Sequence, residues 1–501
     1  MNRIRLGMVV CIAAVLGAAM AAQAQTFTAV TDFNGLNGYS ANALSQAANG
    51  NLVGTTLYGG TGPGGTSGTV FEITPTGGLT TIHNFCSQAN CLDGEWPNGP
   101  LLLASDGNYY GTAQVGGPFN YGTVFKITPE GQLSTIYNFC SLAGCADGAR
   151  PIGALLEGRN GNLYGITMEG GSAPKRNCTS SSDGCGTIFE VSTSGTLTTL
   201  YSFCSERYCA DGVGTGAVLT LGTDGNFYGT TQSNGSSGSI LFRLSPTGKF
   251  GTLLNFCTQT NCIVQSPLGV IEGNDGNLYG TSGAGGAYRS GVVFRISPSG
   301  ELTTLYSFCA LSKCADGSGP DAGLMQGSDG NFYGTTMWGG AAGCIAGCGT
   351  IFRITPAGAL TTLYDFCSQQ GCVDGGEPTA LLVQRTDGTF YGTTQIGGDS
   401  SCNSNDFPAG CGTVFNLSTG LGPFVRANPA FGKIGRTIGI LGNDLTGTSS
   451  VTFNGVAATA FTVLADTFIK ATVPSGATTG AIQVTTPSGT LSSNAPFQVL
   501  P

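Results

Sequence analysis

The chain has 501 residues, of which 84 are glycine and only 9% are charged, and its formal net charge is −9. This acidic balance excludes the basic surface that nucleic-acid-binding proteins use. A hydrophobic fraction of 40% excludes a largely disordered chain. We therefore expect a folded protein that does not bind nucleic acid.

Residues 1–24 are predicted to be a secretory signal peptide. Arg3 and Arg5 precede an apolar stretch from Leu6 to Ala22, and Ala22-Gln23-Ala24 fits a small-x-small cleavage site. No other long apolar segment follows, so we expect no transmembrane span in the mature chain. This pattern predicts an exported protein, located outside the cell, at its surface or in the periplasm.

A unit of about 55 residues recurs seven times, the kind of internal repeat that decides a fold. Each unit contains (Asp/Asn)-Gly-Asn, an apolar residue, Tyr, Gly and Thr, with Thr in place of the second Asn in the last copy. The seven anchors begin at Asn49, Asp106, Asn160, Asp224, Asp275, Asp329 and Asp387.

The second unit predicts four strands joined by tight turns. Its strands are predicted at Leu101–Leu103, Tyr109–Ala113, Gly122–Ile127 and Leu133–Phe139. Asp106-Gly107 and Pro129-Glu130-Gly131 provide the two tight turns, since glycine tolerates positive φ. Four strands in each of seven units, without helical periodicity, predict an all-β, seven-bladed β-propeller over residues 25–420.

The chain ends favour a closed ring over an open solenoid. The seventh unit stops after its third strand, Gly412–Ser418, while Phe27–Phe33 matches the fourth strand of the sixth unit, Leu360–Phe366. The N-terminal strand is therefore expected to complete the last blade, which removes exposed sheet edges.

These blocks resemble a known family. Asp329–Thr336, then Gly349–Pro356, then Leu360–Phe366 are similar to the bacterial GloVer tandem repeat, over about residues 26–420. That resemblance implies exported proteins and supplies no catalytic residues. The Asp-Gly-Asn-x-Tyr element is also similar, more weakly, to NHL and gluconolactonase-type propellers.

The mature chain has 18 cysteines in close pairs, which predict disulfides in an oxidising compartment. At the N-terminal copy both motif cysteines are replaced together, by Asn34 and Tyr39, as a disulfide requires. Zinc is the alternative, but tetrahedral closure needs two more ligands for each pair. The predicted bridges are Cys86–Cys91, Cys140–Cys145, Cys178–Cys185, Cys204–Cys209, Cys257–Cys262, Cys309–Cys314, Cys344–Cys348, Cys367–Cys372 and Cys402–Cys411.

Strand counting places every cysteine pair at one end of the sheets. In an up-and-down sheet, the loop between strands two and three and the loop leading to the next unit share one end. The tight turns share the other. A rigid scaffold with variable loops at one end is a common arrangement for a binding surface.

Three sets of polar or aromatic residues are candidates for chemistry. His83, the only histidine, stands where other units have tyrosine, which favours a structural strand position. Trp96, Trp338 and Tyr58 are candidates for stacking on a sugar or gripping a protein, with local packing as the alternative. Five aspartates after the second motif cysteine could cap their own turns or hold a structural Ca²⁺: Asp93, Asp147, Asp211, Asp316 and Asp374.

Residues 424–501 carry a different all-β pattern. Strands are predicted around Asn428–Gly432, Ile438–Gly442, Val451–Gly455, Ile469–Pro474 and Gly480–Thr485. This segment resembles an IPT/TIG domain, an immunoglobulin-like sandwich, and the resemblance implies a spacer or interaction module without an active site.

Three functions remain open at this point. The first is a secreted or surface binding protein that presents its cysteine loops to a glycan, an envelope polymer or a protein. The second is a propeller enzyme of the lactonase or lyase type with a central divalent metal, although no motif indicates catalytic residues. The third is a purely structural envelope protein. Fold alone does not decide among them.

Overall fold

The computed structural model describes residues 25–501 except 63–64, 174–177, 179–183, 217, 234–237, 259–260, 341–343, 345, 400–401 and 403–409. The predicted signal peptide, residues 1–24, therefore lies outside the described residues. The described chain is almost entirely β-structure, and its helical segments are single 3-10 turns. Among the described residues, no helix combines the length and apolar character needed to cross a bilayer.

Residues 26–418 form seven antiparallel sheets, one for each repeat, with strands named a to d in order. Strand a is split in several repeats. The strands of repeats 1 to 3 are Tyr39–Ala41 with Ser45–Gln46, Leu52–Tyr58, Thr69–Ile73 and Leu79–Asn84; Glu95–Pro97 with Leu102–Leu103, Tyr109–Val115, Thr123–Ile127 and Leu133–Asn138; and Ala149–Glu157, Leu163–Glu169, Thr187–Val191 and Leu197–Ser202.

The later repeats follow the same order. The strands of repeats 4 to 6 are Val213–Thr215 with Thr220–Leu221, Phe227–Ser233, Ile240–Leu244 and Phe250–Asn255; Val264–Glu272, Leu278–Gly285, Val292–Ile296 and Leu302–Ser307; and Met325–Gln326, Phe332–Thr336, Thr350–Ile354 and Leu360–Asp365. Repeat 7 has Val383–Gln384, Phe390–Thr393 and Thr413–Ser418. A small hairpin, Cys257–Thr258 with Asn261–Cys262, follows repeat 4.

The N-terminal strand, Thr26–Asp32, is strand d of the seventh sheet. It pairs antiparallel with Thr413–Ser418, from Thr26 opposite Ser418 to Asp32 opposite Thr413. The first and last strands of the repeat region thus belong to one sheet.

The sheets pack on each other through one aromatic contact repeated at every boundary. The phenylalanine that ends strand d of one repeat lies against the phenylalanine in strand c of the next, with ring centroids 5.1–5.6 Å apart. Phe33 of the N-terminal strand makes the same contact with Phe71 of repeat 1. The seven pairs are Phe33–Phe71, Phe85–Phe125, Phe139–Phe189, Phe203–Phe242, Phe256–Phe294, Phe308–Phe352 and Phe366–Phe415.

A hydroxyl contact near the inner strands follows the same order. The first threonine after the strand-b glycine donates to a carbonyl in strand a of the next repeat; Thr55 reaches the Gly99 oxygen at 2.9 Å. Thr393 of repeat 7 donates to the Ala41 oxygen of repeat 1 at 3.0 Å. Gln46 and Thr386 also join repeats 1 and 7, with the Gln46 Nε2 2.8 Å from Thr386 Oγ1.

The structure corrects the predicted first strand of each repeat. In repeat 2 the first strand begins at Glu95, well before the predicted Leu101, and a break separates its two parts. The break follows from local chemistry. Trp96 has φ +57°, a left-handed conformation, and Asn98-Gly99 then interrupts the ladder.

Residues 426–500 form a separate sandwich around an apolar core that includes Ile440, Phe453 and Ile469. Its strands are Arg426–Asn428, Thr437–Leu441, Phe468–Thr472 and Phe461–Ala465 in one sheet; Val456–Ala457, Ser450–Phe453, Ile482–Thr486 and Gly489–Ser492 in the other; and Phe431–Lys433 beside Gln498–Leu500.

Candidate functional site

The cysteine loops stand at one end of the sheets, which we call the cysteine face. The opposite end, with the Asp-Gly-Asn and Pro-x-Gly turns, we call the turn face. Eight of the expected bridges are formed in the described residues: Cys86–Cys91, Cys140–Cys145, Cys178–Cys185, Cys204–Cys209, Cys309–Cys314, Cys344–Cys348, Cys367–Cys372 and Cys402–Cys411. The side chain of Cys262, the expected partner of Cys257, lies outside the described residues.

Two of the added bridges lie directly on a motif bridge of the same sheet. Cys344 Sγ is 3.9 Å from Cys367 Sγ, and the sulfur atoms of Cys185, Cys204 and Cys209 lie within 4.8 Å of one another. Because these sulfurs are joined in disulfides, they are not the free thiolates that a zinc site requires. The added bridges thus tie the b–c loop to the motif loop beside it.

A buried aspartate holds each motif loop. The Asp147 carboxylate accepts hydrogen bonds from Tyr137 Oη at 2.8 Å, from Ser141 N and Oγ at 2.9 Å each, and from Leu142 N at 3.2 Å. Burial, with a smaller contribution from Asp147, raises the pKa of Tyr137 to about 12, so the phenol stays a donor. Asp211, Asp316 and Asp374 are bonded in the same way.

These contacts are those of the turn-cap interpretation of the five aspartates. The carboxylates are fully or almost fully buried and already serve as acceptors for their own loops. A structural Ca²⁺ at these positions stays a prediction. Sequence analysis missed the tyrosine partner, although a tyrosine ten residues before an aspartate in four loops was a usable signal.

The first motif loop uses histidine where the others use tyrosine. His83 Nε2 lies 3.1 Å from Asp93 Oδ2, and Ser87 Oγ donates to the same oxygen at 2.8 Å. Burial alone would raise the pKa of Asp93, but hydrogen bonds from His83, Ser87 and Gln88 outweigh it and hold that pKa below its ordinary value. His83 is therefore a structural residue.

We expect Asp93→Asn to lower the free energy of unfolding at pH 7 by about 1–3 kcal/mol, because buried donors lose a charged acceptor. A lowered pKa stabilises the fold above the ordinary value of 3.8, and this stabilisation is lost as the pH falls through the folded-state pKa. The difference between wild type and variant should therefore shrink below about pH 4. Urea titrations at pH 7, 5 and 3, with the exposed Asp444→Asn as control, measure it; a difference that does not change with pH contradicts it.

The N-terminal loop closes without cysteines. Asn34 N donates to Asn37 Oδ1 at 2.9 Å and Asn37 N donates to Asn34 Oδ1 at 3.0 Å. This loop is four residues shorter than the loop from Phe85 to Gly94, since Gly38 takes the place of Gly94. Tyr39 therefore occupies the position of Glu95, and its expected match to the second motif cysteine is wrong.

A cavity of about 240 Å³ opens among the strand-a segments in their half nearest the cysteine face, and every repeat contributes to its lining. The contributors are Ser40–Ala43 and Leu57; Asn98–Pro100; Gly153 and Ala154; Val218; Leu268; Asp321–Gly323; and Thr379–Leu381 with Gln395. Sequence analysis did not identify this cavity, because its walls are small or singly occurring residues without a motif.

The polar residues in the cavity differ in their partners. Asn42 Nδ2 is bonded to Thr55 Oγ1 at 2.9 Å, and Gln395 Nε2 to Thr379 Oγ1 at 2.7 Å. The Asn98 amide and the Asp321 carboxylate have no side-chain partner within the described part of the chain. Asp321 reaches solvent inside the cavity, and partial desolvation by the surrounding protein raises the pKa of its carboxyl.

Two of the three predicted binding aromatics lie together. The Tyr58 and Trp96 rings are 6.0 Å apart and Tyr39 lies 5.4 Å from Tyr58. Trp96 Nε1 donates to the Thr66 oxygen at 3.2 Å. Trp338 belongs to repeat 6, where its ring, 41% exposed, covers Gly319. Trp96 is two residues before Asn98, and Gly319 is two residues before Asp321, so each tryptophan lies near an unpartnered polar group.

The sequence profile described as the Gloeobacter/Verrucomicrobia repeat matches residues 18–238 and 214–458, which together are most of the chain. The chain belongs to this repeat family. The IPT/TIG domain profile matches residues 424–499 of the same repeat protein. Both resemblances expected from the sequence are thus confirmed. A search of curated proteins found no match.

Solved structures share the fold of this repeat protein at low sequence identity. A fungal alcohol oxidase of the AA5 family, solved in complex with copper, is 14% identical, with 96% of this chain and 99% of that chain covered and a TM-score of 0.51. A putative gluconolactonase is 10% identical, with 80% and 93% covered and a TM-score of 0.40. The PQQ-bound aldose sugar dehydrogenase of Streptomyces coelicolor is 13% identical, with 79% and 98% covered and a TM-score of 0.35.

The IPT/TIG domain of the repeat protein lies against the turn face. Asn443 Nδ2 donates to Thr386 Oγ1 of repeat 7 at 2.9 Å, and Arg159 Nη2 of repeat 3 donates to Gln498 Oε1 at 2.7 Å. Phe468 packs into an apolar cluster of repeats 1 and 2. Further contacts to repeats 2, 5 and 7 are made by Asn428, Asn494 and Arg426. The domain thus spans the end of the sheets opposite the cysteine loops.

The packing between repeats 4 and 5 departs from that of the other repeats. Leu253 is 40% exposed there, whereas Ile82, Ile136 and Leu200 at the same position pack on core clusters. A cavity of about 510 Å³ lies beside it, lined also by Arg243, and includes the turns at both ends of the turn face. This gap is remote from the cysteine loops.

Proposed function

We propose that the repeat region is a closed seven-bladed β-propeller and that the protein is an exported binding protein whose ligand enters the central cavity from the cysteine face. The lining of that one cavity by all seven repeats carries the proposal. The Phe33–Phe71 contact, identical to those at the other six boundaries, supports closure of the ring.

The position of the two ends of the ring supports a single entrance. The IPT/TIG domain contacts five repeats on the turn face. The cavity therefore communicates with solvent on the side of the cysteine loops. Bridges that restrain these loops reduce the conformational entropy a ligand would have to remove on binding. The number of disulfides supports a location in an oxidising compartment, outside the cell or in the periplasm.

A binder fits the cavity better than a metal-dependent lactonase or lyase. A divalent cation such as Ca²⁺ takes several converging oxygen ligands, usually including more than one carboxylate. Among the described residues lining the cavity, Asp321 alone carries a carboxylate. The cavity instead combines apolar walls with a few polar groups, the usual composition of a ligand site.

The mature chain, residues 25–501, is expected to bind envelope fractions of the producing cell, and Leu268→Trp is expected to reduce that binding at least tenfold by filling the cavity. Biolayer interferometry against solubilised envelope fractions measures it. Leu464→Trp is the matched control, because Leu464 is exposed on the IPT/TIG domain. Equal binding by wild type and Leu268→Trp, or no binding by either, overturns the proposal.

A further inference from the structure

The central cavity has two unpartnered polar groups of complementary kind. The Asp321 carboxylate only accepts hydrogen bonds, while the Asn98 amide both donates and accepts. The other polar side chains there are held by protein partners, as in the Gln395–Thr379 contact. A ligand that satisfies both free groups needs donors and acceptors close together, which is the property of neighbouring hydroxyl groups.

The walls of the cavity add an apolar requirement. Leu57, Val218, Leu268 and Leu381 line it together with alanine and glycine. Trp96 and Trp338 stand at its rim, each close in sequence or space to one of the free polar groups. Aromatic faces bind the apolar C–H faces of a ring while its polar edge is hydrogen-bonded elsewhere. Hydroxyl edges and C–H faces occur together in saccharides.

Charge and size narrow the ligand further. The lining contains one carboxylate and, within the described residues, no lysine, arginine or histidine, and the whole chain has a net charge of −9. Both features disfavour anionic sugars. The volume of about 240 Å³ lies below the ~300–1,000 Å³ usual for drug-sized ligands. It suits a single sugar ring, with the rest of the chain outside.

We propose that the cavity binds the terminal ring of a neutral saccharide, with Asp321 accepting hydrogen bonds from its hydroxyl groups, Asn98 completing them, and Trp96 and Trp338 contacting its C–H faces. This inference rests on the proposed binding function and names its ligand class. No covalent chemistry is involved.

The test begins with an array of neutral, acidic and amino oligosaccharides probed with residues 25–501. Binding to neutral members is expected. Titration calorimetry with the strongest neutral oligosaccharide should then show at least a tenfold weaker affinity for Asp321→Asn and for Trp338→Ala. Asp444→Asn, which removes one exposed charge from the IPT/TIG domain, should bind like wild type. Unchanged affinity of Asp321→Asn, or binding only to acidic or amino members, overturns the inference.

Stability separates a ligand-binding role of Asp321 from a structural one. Its pKa is raised by partial desolvation, so the folded state favours the protonated acid and the ionised form costs stability at neutral pH. Asp321→Asn should therefore leave the melting temperature at pH 7 unchanged or higher. A marked fall in melting temperature would show that Asp321 holds the fold and would overturn the inference.

Failure of the saccharide inference is distinguishable from failure of the binding function. Envelope fractions are treated with periodate, which destroys sugar rings, or with protease. The inference expects periodate to abolish binding and protease to leave it. If protease abolishes binding and Leu268→Trp still reduces it, the ligand is a protein. The saccharide inference then fails while the binding function stands.

Discussion

Deletion of residues 25–33 is expected to prevent the repeat region from folding to a stable monomer. The deletion removes strand d of the seventh sheet and leaves Thr413–Ser418 as an unpaired edge, a template for association with other chains. It also removes the fully buried Phe33 and the stack of Phe27 on Tyr364, whose centroids are 3.7 Å apart. Size-exclusion chromatography of the shortened mature chain should show aggregates in place of a monomer.

A point substitution gives a graded form of the same result. Phe33→Ala should lower the free energy of unfolding by about 3–5 kcal/mol, the usual cost of emptying a buried phenylalanine site. Thr28→Ala in the same strand, where the side chain is exposed, should change it by no more than about 0.5 kcal/mol. Denaturant unfolding measures both. A monomeric, cooperatively folding deletion variant would contradict the role assigned to this strand.

Asp147→Ala is expected to destabilise the protein by about 3 kcal/mol or more, because the tyrosine hydroxyl, Ser141 and the Leu142 N–H lose their acceptor in a buried site. Tyr137→Phe alone should cost about 1–3 kcal/mol. The double variant should cost less than the sum of the two, with a coupling of about 0.5–3 kcal/mol. Urea unfolding of the four proteins measures this cycle.

The chain contains its own control for this network. The loop after repeat 4 has Leu254 at the tyrosine position, and no aspartate follows Cys262. Leu254→Tyr should therefore bring no stabilisation, since the new hydroxyl has no carboxylate to reach. Additive costs in the cycle, or a clear gain in stability from Leu254→Tyr, would contradict the network.

Local signals in the sequence were sufficient for most strands of the repeats. Gly122–Ile127 was predicted as strand c and Thr123–Ile127 is found, because the Gly-Thr-Val-Phe pattern alternates clearly and a Pro-x-Gly turn ends it. The first part of strand a was missed, since Glu95-Trp96-Pro97 precedes Asn98-Gly99 and reads as a loop. In the C-terminal domain Phe461–Ala465 was missed, where exposed residues dilute the apolar alternation.

The candidate site depended on long-range geometry that single repeats do not contain. Trp96 and Tyr58 stood out as rare aromatics, and their contact could be expected only once the sheets are placed side by side. Asp321 had no signal, because it stands in one repeat at a position where repeats 1 and 2 have asparagine and repeat 7 threonine. The position of the IPT/TIG domain on the turn face likewise follows from surface complementarity between distant segments.

The pairing of the first strand with the last sheet also sets an order of events in biosynthesis. Chains are made from the N-terminus, so Thr26–Asp32 appears first but its partner, Thr413–Ser418, appears after every other repeat. The seventh sheet is therefore assembled only when the whole repeat region exists. A chain that ends prematurely keeps an unsatisfied strand at its beginning, which marks incomplete products for degradation while finished molecules hide it.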